Sequence, residues 1–237
     1  MSNLAFSPNF SQLQTLTFPK SFTVLPSAWL TSSARLYWES VMKRAIDLGG
    51  AAFLMLVFSP LLLCLALLVK CSSSGPIFYR SARLGQHGKL FGMWKFRTMV
   101  QNADQLRTKL RQQTGQHHQL FKLAHDPRIT PIGAWLRKTS LDELPQLFNV
   151  LCGEMSLIGP RPLIVDDYAA FDAAFTNKRL SVLPGMTGIW QVSGRSSLTT
   201  QQLIDLETHY IDFWSVVDDI RILVATIPAV LRCRGAM

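Results

Sequence analysis

An aspartate and a glutamate stand side by side in "TSLDELPQLFNV", and this pair is the first candidate for chemistry in the chain. Proline is comfortable only in the first turn of a helix, so Pro145 predicts that Asp142 and Glu143 lie at or just before a helix N-terminus. Free N–H groups and the positive end of the helix dipole attract phosphate there. Two carboxylates beside a phosphate need a cation, and Mg²⁺ takes one or two carboxylates together with phosphate oxygens. A carboxylate left free can attack phosphorus and form an acyl phosphate.

The acidic pair also has two purely structural interpretations. Adjacent acidic residues are common on the solvated face of a helix. In addition, Ser140 and Glu143 match the S-x-x-E pattern of a helix capping box. These residues alone do not choose between structure and chemistry.

Three other stretches present cations that could bind phosphate. In "WKFRTM" the period of a strand puts Lys95 and Arg97 on one face, although a solvated edge strand has the same pattern. In "GPRP" two prolines fix the backbone around Arg161, and arginine binds phosphate through two parallel hydrogen bonds. "SGRSS" offers Arg195 among small hydroxylated neighbours, which is a similar but weaker signal.

The composition indicates membrane contact and an anionic partner. Of the 237 residues, 48% are hydrophobic, and the formal net charge is +9. Such a charge suits nucleic acid, lipid headgroups or a phosphorylated substrate. A membrane-tethered nucleic-acid-binding protein is disfavoured, because the basic residues are spread along the chain without a helix-turn-helix or aromatic-basic motif. No nucleic-acid partner is therefore expected.

The most apolar segment runs from residue 45 to residue 69, with Asp47 as its only charged residue. As a helix it would be roughly 37 Å long, more than the hydrocarbon core of about 30 Å, so one spanning helix is the simplest prediction. Ser59-Pro60 divides it into halves that are each too short to span, and the Ser59 hydroxyl could bond the carbonyl that proline frees. Basic residues flank both ends, which favours two cytoplasmic ends. The residues support a kinked spanning helix and a helix that returns to the same side about equally.

The remaining pattern predicts an α+β fold that is mostly helical. "PIFYRSARL" and "KLFGMWKFRTM" flank the turn "GQHG" and predict a β-hairpin. Apolar residues at three- and four-residue steps from Tyr210 to Leu231 predict one amphipathic helix, which either packs on the domain or lies on the membrane. We expect three parts: an irregular segment with interfacial aromatic residues (1–40), a membrane helix (41–70) and a cytosolic-face catalytic domain (71–237).

Taken in order, the quoted stretches resemble one family. The resemblance runs from about Lys43 to the C-terminus and is carried by "KRAIDL", "FSP", "GPIFYR", "KFRTM", "DPRITPIGAWLRKTSLDELPQLFNVL", "GEMSLIGPRP", "LPGMTGIWQVSGRS" and the closing helix. The chain resembles the monotopic phosphoglycosyl transferases, bacterial sugar transferases that start polysaccharide and glycan assembly on polyprenyl phosphate. The resemblance implies a re-entrant membrane helix over residues 41–70, broken at Ser59-Pro60.

The resemblance also implies a reaction and the roles of its residues. A sugar 1-phosphate, with glucose or galactose as the sugar, would pass from a UDP-sugar to undecaprenyl phosphate with release of UMP, at the cytoplasmic face of the bacterial plasma membrane. Asp142 would be the nucleophile and Glu143 the Mg²⁺ ligand. The phosphate-binding residues would be Lys95, Arg97, Arg161 and Arg195. The resemblance allows a homodimer. A catalytically silent scaffold of the same fold is the alternative, against which the intact acidic pair argues.

Overall fold

Helices make up most of the described chain, and two small sheets lie between them, which confirms the predicted mixed and mostly helical fold. The computed structural model describes residues 33–103, 105–106, 126–194 and 198–231. The helices are α1 (Ser33–Ser72), α2 (Pro131–Thr139), α3 (Gln146–Leu151), α4 (Ala173–Leu180), α5 (Ile189–Ser193), α6 (Thr200–Asp212) and α7 (Val216–Leu231). The strands are β1 (Phe78–Leu84), β2 (Leu90–Phe96), β3 (Ser156–Ile158) and β4 (Gly185–Thr187).

Helix α1 is continuous through the Ser-Pro pair. Its 40 residues begin at Ser33, earlier than the predicted residue 41, and Pro60 lies inside it. Proline removes the N–H that would bond the carbonyl of Leu56, and the Ser59 hydroxyl donates to that oxygen at 2.8 Å. The predicted repair of the freed carbonyl is therefore confirmed, whereas a turn back at this point is not. The part from Ser40 to Ser72 is long and apolar enough to cross a membrane. Residues 1–32, predicted to be irregular, lie outside the described residues.

One face of α1 packs along the same domain, and the opposite face does not. Ala51 lies in a core cluster with residues of α3 and β2, and Leu65 and Val69 lie in a second cluster with Phe96 and Leu136. Between these contacts the side chains of Phe53, Leu56 and Leu63 are 63%, 74% and 64% exposed. The outer face of this stretch is thus uncovered by the described part of the protein, whereas Leu54 and Leu61 on its inner face pack against the two clusters.

Strands β1 and β2 form the predicted antiparallel hairpin. Tyr79 lies opposite Lys95 and Arg83 opposite Phe91. Opposed side chains point to the same face, and alternate residues share it, so Arg83 and Lys95 lie on one face of the hairpin.

A short parallel strand pair holds the backbone that leads into "GPRP". Ile158 of β3 lies opposite Thr187 of β4. The hydrogen bonds continue beyond the strand, because Gly159 N–H donates to Thr187 O at 2.9 Å and Gly185 N–H donates to Pro160 O at 2.9 Å. The loop therefore leaves the sheet from a fixed position.

The C-terminal region contains two helices where the periodicity predicts one. The apolar stripe continues in sequence, but α6 ends at Asp212 and α7 begins at Val216. Tyr210 is buried and donates to Asp219 at 2.8 Å, which fixes the corner between the helices. Further along the stripe lies an uncovered apolar face of α7, which consists of Val217, Ile220, Val224 and Ile227, all exposed.

Candidate active site

The acidic pair lies in a 3₁₀ turn, Leu141–Glu143, between α2 and α3. Ser140 ends α2 in the left-handed conformation with φ 58°, and its N–H bonds the carbonyl oxygens of Leu136 and Arg137. Pro145 is the N-cap of α3, so the pair comes just before a helix, as predicted. The capping-box interpretation is wrong, because the Ser140 side chain makes no cap hydrogen bond and the Glu143 side chain bonds two cations instead.

Helix α2 is held against the end of β2 by close backbone contact. Thr130 N–H donates to Thr98 O at 3.0 Å, and the Thr130 hydroxyl caps the helix by accepting from Gly133 N–H at 2.9 Å. A Cβ on Gly133 would lie 2.0 Å from Thr98 O, so only glycine permits this approach. Arg137 also donates from Nε to the Thr98 hydroxyl at 2.8 Å. These contacts fix where the acidic turn emerges.

Glu143 lies between two cations from different parts of the chain. Lys95 Nζ is 2.7 Å from Oε1, and Arg161 approaches through two bonds, Nη2 to Oε1 at 2.6 Å and Nη1 to Oε2 at 3.1 Å. Burial by itself would raise the pKa of Glu143, but the charges and hydrogen bonds of Arg161 and Lys95 reverse this and hold the pKa well below its ordinary value. Glu143 is therefore a fixed anion that orders both cations.

Asp142 has the opposite environment. It is 7% exposed, and within the described part of the chain no group donates a hydrogen bond to its carboxylate. Burial raises the pKa of Asp142 to about 6, against the lowering effect of Lys95 and with a further raising effect of Glu143. At neutral pH this carboxylate is ionised and poorly solvated, and no group in the described part of the chain bonds it. Those are the properties of an activated nucleophile or of an open metal ligand.

The structure brings together some of the predicted cations and separates another. Lys95 and Arg161 both contact Glu143. Arg97 instead lies at the C-terminal end of α1, where its Nη atoms donate to the carbonyl oxygens of Val69, Ser73 and Pro76. A cation is favourable at that end of a helix, so these contacts give Arg97 a structural role there. Arg195 lies outside the described residues.

Arg83 is a residue beside the pair that the motif analysis missed. It is half-buried and makes no hydrogen bond with a described residue, and its Nε is buried without a partner. Burial and the nearby charge of Arg161 lower the pKa of Arg83 to about 10, while Asp167 and Glu143 act in the opposite direction. The guanidinium thus stays charged at neutral pH. Its register opposite Phe91, on the face of Lys95, is the signal that could have found it.

The carboxylates fit Mg²⁺ unequally. Carboxylate oxygens are the hard ligands that this ion prefers, and it commonly takes one or two of them plus substrate phosphate and water. Asp142 has both oxygens available, whereas three hydrogen bonds already occupy Glu143. An ionised carboxylate offers about four lone-pair directions, which leaves Glu143 roughly one. Glu143 therefore keeps room for a single Mg²⁺ contact, which is what its predicted role requires.

The chain is similar in sequence to known bacterial proteins. The sequence profile of a bacterial sugar transferase matches residues 38–233. The exopolysaccharide production protein ExoY of Sinorhizobium fredii is 40% identical over 200 residues, which cover 83% of this chain and 88% of that protein. The undecaprenyl-phosphate galactose phosphotransferase of Salmonella typhimurium is 41% identical over 199 residues, 82% of this chain and 41% of that protein. The UDP-glucose:undecaprenyl-phosphate glucose-1-phosphate transferase of Escherichia coli is 40% identical over 195 residues, 79% of this chain and 39% of that protein.

The matched residues begin before the apolar segment and end just past α7. They therefore include the hairpin, the acidic turn and the "GPRP" loop. The chain belongs to the bacterial sugar transferase family and is a transferase.

Proposed function

We propose that the protein transfers a hexose 1-phosphate from a UDP-hexose to undecaprenyl phosphate and releases UMP. The donor is UDP-glucose or UDP-galactose, since relatives named for each sugar are about equally similar to this chain. The step would begin the synthesis of an exopolysaccharide, a capsule or an O-antigen. The observation that carries the proposal is the Asp142 carboxylate, which is buried, ionised and without a hydrogen bond from any described residue, beside cations that Glu143 holds in place.

In the proposed reaction, Asp142 attacks the phosphorus atom that bears the sugar. A bond forms between an Asp142 oxygen and phosphorus, and the phosphorus–oxygen bond to UMP breaks, with its electron pair leaving on UMP. A phosphate oxygen of undecaprenyl phosphate then attacks the same phosphorus and releases the Asp142 carboxylate. The two displacements leave the enzyme unchanged and need no further reactant.

The cations of the site would offset the repulsion between an anionic nucleophile and an anionic diphosphate. Lys95 and Arg161 are preorganised by Glu143, and Arg83 brings a charge with no hydrogen bond to a described residue. We assign Arg83 to the diphosphate of the donor. Mg²⁺, held by Glu143 together with substrate oxygens, would supply further neutralisation of phosphate charge and leave Asp142 for the attack.

We also propose that α1 enters the membrane and returns to the cytoplasmic face. Lys43 before the apolar stretch bonds Asp219 at 2.6 Å, and Arg97 bonds Val69 O at 3.2 Å and Ser73 O at 2.6 Å after it. Both ends are thus held by polar groups of one domain, which cannot lie on two sides of a bilayer. The exposed face of α1 around Pro60 would then be the part in contact with lipid. The exposed apolar face of α7 would rest on the same leaflet.

The experiment is a donor panel with the purified protein, undecaprenyl phosphate and Mg²⁺ in lipid nanodiscs. We expect UMP release with UDP-glucose or UDP-galactose and none from the Asp142→Asn variant. Incubation with a donor labelled in the sugar, without lipid acceptor, should leave labelled sugar phosphate on Asp142.

Two results would contradict parts of the proposal. Exclusive use of an N-acetylated bacillosamine-type donor would overturn the choice of hexose. A reaction that forms no protein adduct and requires both substrates bound together would replace the two displacements with direct transfer. A catalytically silent scaffold would release no UMP from any donor.

A further inference from the structure

A buried ion pair outside the acidic turn reaches the backbone of Arg161. Arg179 on α4 and Glu207 on α6 are joined by two hydrogen bonds, Nε to Oε2 at 2.6 Å and Nη2 to Oε1 at 3.1 Å. Their side chains are only 3% and 1% exposed. Arg179 Nη1 donates to the Tyr168 hydroxyl at 3.1 Å, and Nη2 also donates to the main-chain carbonyl oxygen of Arg161. The guanidinium thus joins two helices and one loop.

Among the described residues, Arg179 alone bonds the carbonyl oxygen of Arg161. Before this residue, Pro160 O ties the loop to β4, and after it Leu163 O accepts from Leu84 N–H of β1 at 3.4 Å. The Arg161 side chain extends from this point to both oxygens of Glu143. A long side chain keeps a bidentate geometry only when its own backbone is fixed, and Arg179 fixes it directly.

Stability alone is a weak reason for this ion pair. Removing two charges from water is costly, and apolar residues of similar volume often replace a buried pair without loss. Apolar residues could not hold the carbonyl of Arg161. We propose that Arg179 and Glu207 are positioning residues for the reaction. They hold the main chain of Arg161 so that its guanidinium stays on Glu143, and they make the active site depend on the placement of helix α6.

The test replaces both charges together, with Arg179→Met and Glu207→Met in one chain. This variant leaves no unpaired buried charge, so it should fold. The matched control is Lys178→Met with Asp212→Met, because that pair joins the same two helices at 2.7 Å but lies at the surface and does not bond Arg161. This readout rests on the proposed transferase function. A small misplacement of a catalytic group costs up to about 100-fold, so we expect kcat/KM to fall about 10- to 100-fold in the buried variant and about twofold or less in the control.

The route through Arg161 is tested in a double-mutant cycle. The buried pair is replaced again in an Arg161→Lys background, where the bidentate contact with Glu143 has already been lost. The effects of mutations at residues that act through one another are not additive. Replacing the buried pair should therefore lower kcat/KM several-fold less in the Arg161→Lys background than in the wild-type background. Equal losses in the two backgrounds, or an equal loss in the surface control, would overturn the proposal.

Amide hydrogen exchange separates this proposal from the transferase function. The N–H groups of Gly159, Gly185 and Leu84 bond Thr187 O, Pro160 O and Leu163 O around this loop, and they should exchange faster in the buried variant and at the wild-type rate in the surface control. If the wild-type protein releases no UMP, the transferase proposal fails while the exchange rates still decide the positioning role. If the methionine variant does not fold, Arg179→Lys serves in its place, since one ammonium keeps the charge but cannot reach Glu207, Tyr168 and Arg161 together. Unchanged exchange in a folded variant would refute the positioning role.

Discussion

Replacing Asp142 with asparagine should make the folded protein more stable at neutral pH while it abolishes turnover. The variant removes the carboxylate that we propose attacks phosphorus but keeps nearly the same size and shape. The native carboxylate is buried without a hydrogen bond from any described group, so its charge opposes folding. Asparagine carries no charge and avoids that cost.

The size of the effect follows from the pKa. Burial raises the pKa of Asp142 from an ordinary 3.8 to about 6. Each pKa unit corresponds to about 1.4 kcal/mol, so the ionised side chain lowers the free energy of unfolding by about 3 kcal/mol above pH 6. The buried asparagine amide has a smaller cost of its own, which offsets part of this difference. The free energy of unfolding should therefore rise by about 1 to 3 kcal/mol in Asp142→Asn. The sign depends on pH: the folded protein binds the extra proton, so the cost is absent below pH 3.8 and grows as pH rises to about 6.

Thermal unfolding in nanodiscs at pH 8 and pH 5 measures this difference. For a protein of this size, 1 kcal/mol corresponds to about 2 to 4 °C in Tm, so Asp142→Asn should melt about 2 to 12 °C higher at pH 8. At pH 5 the gain should be smaller by about 1.4 kcal/mol, which leaves at most about half of it. The control is Asp166→Asn, an exposed aspartate near the site, which should change little at either pH. A lower Tm for Asp142→Asn at pH 8, or a gain that does not shrink toward pH 5, would refute the reasoning.

Three further predictions concern pH, topology and donor binding. The value of kcat/KM should fall about tenfold per pH unit below about pH 6, as Asp142 is protonated, and a flat acid profile would contradict its role. A cysteine at Lys20 should escape labelling from the periplasmic side in the native protein and become labelled in Pro60→Ala, and efficient labelling in the native background would rule out the returning helix. Arg83→Gln should raise the donor KM about 10- to 100-fold, whereas Arg80→Gln, on the other face of the same strand, should not; equal effects would remove Arg83 from the diphosphate site.

The parts of the site that sequence could predict are those set by local pattern. Alternation and glycine placement define the hairpin, which puts Lys95 at a known position on a known face. Prolines around Arg161 and after Glu143 restrict backbone angles whatever the rest of the fold does. Local rules of this kind predicted both of the described cations that contact Glu143.

The parts that sequence could not predict depend on contacts between distant segments. Arg97 alternates with Lys95 and looks equivalent to it, yet it bonds the end of α1 because that helix ends beside the strand. Arg179 and Glu207 carry no motif, and their role arises only when α4 and α6 meet. The break between α6 and α7 was missed for a related reason, since the apolar period continues through a corner that the Tyr210–Asp219 bond fixes.

The difference between the two carboxylates of the acidic pair arises from tertiary contacts. "DE" offers two neighbouring carboxylates of similar ordinary pKa, and nothing in the dipeptide decides which one is the nucleophile. In the folded protein, Lys95 and Arg161 both bond Glu143 and lower its pKa, while Asp142 is buried without a bond from any described residue and its pKa rises. Two adjacent groups with pKa values moved in opposite directions are the usual basis for assigning different roles. In the proposed reaction, the hairpin and the "GPRP" loop leave Asp142 for the attack by binding its neighbour, so loosening either element should impair catalysis even when the acidic pair is intact.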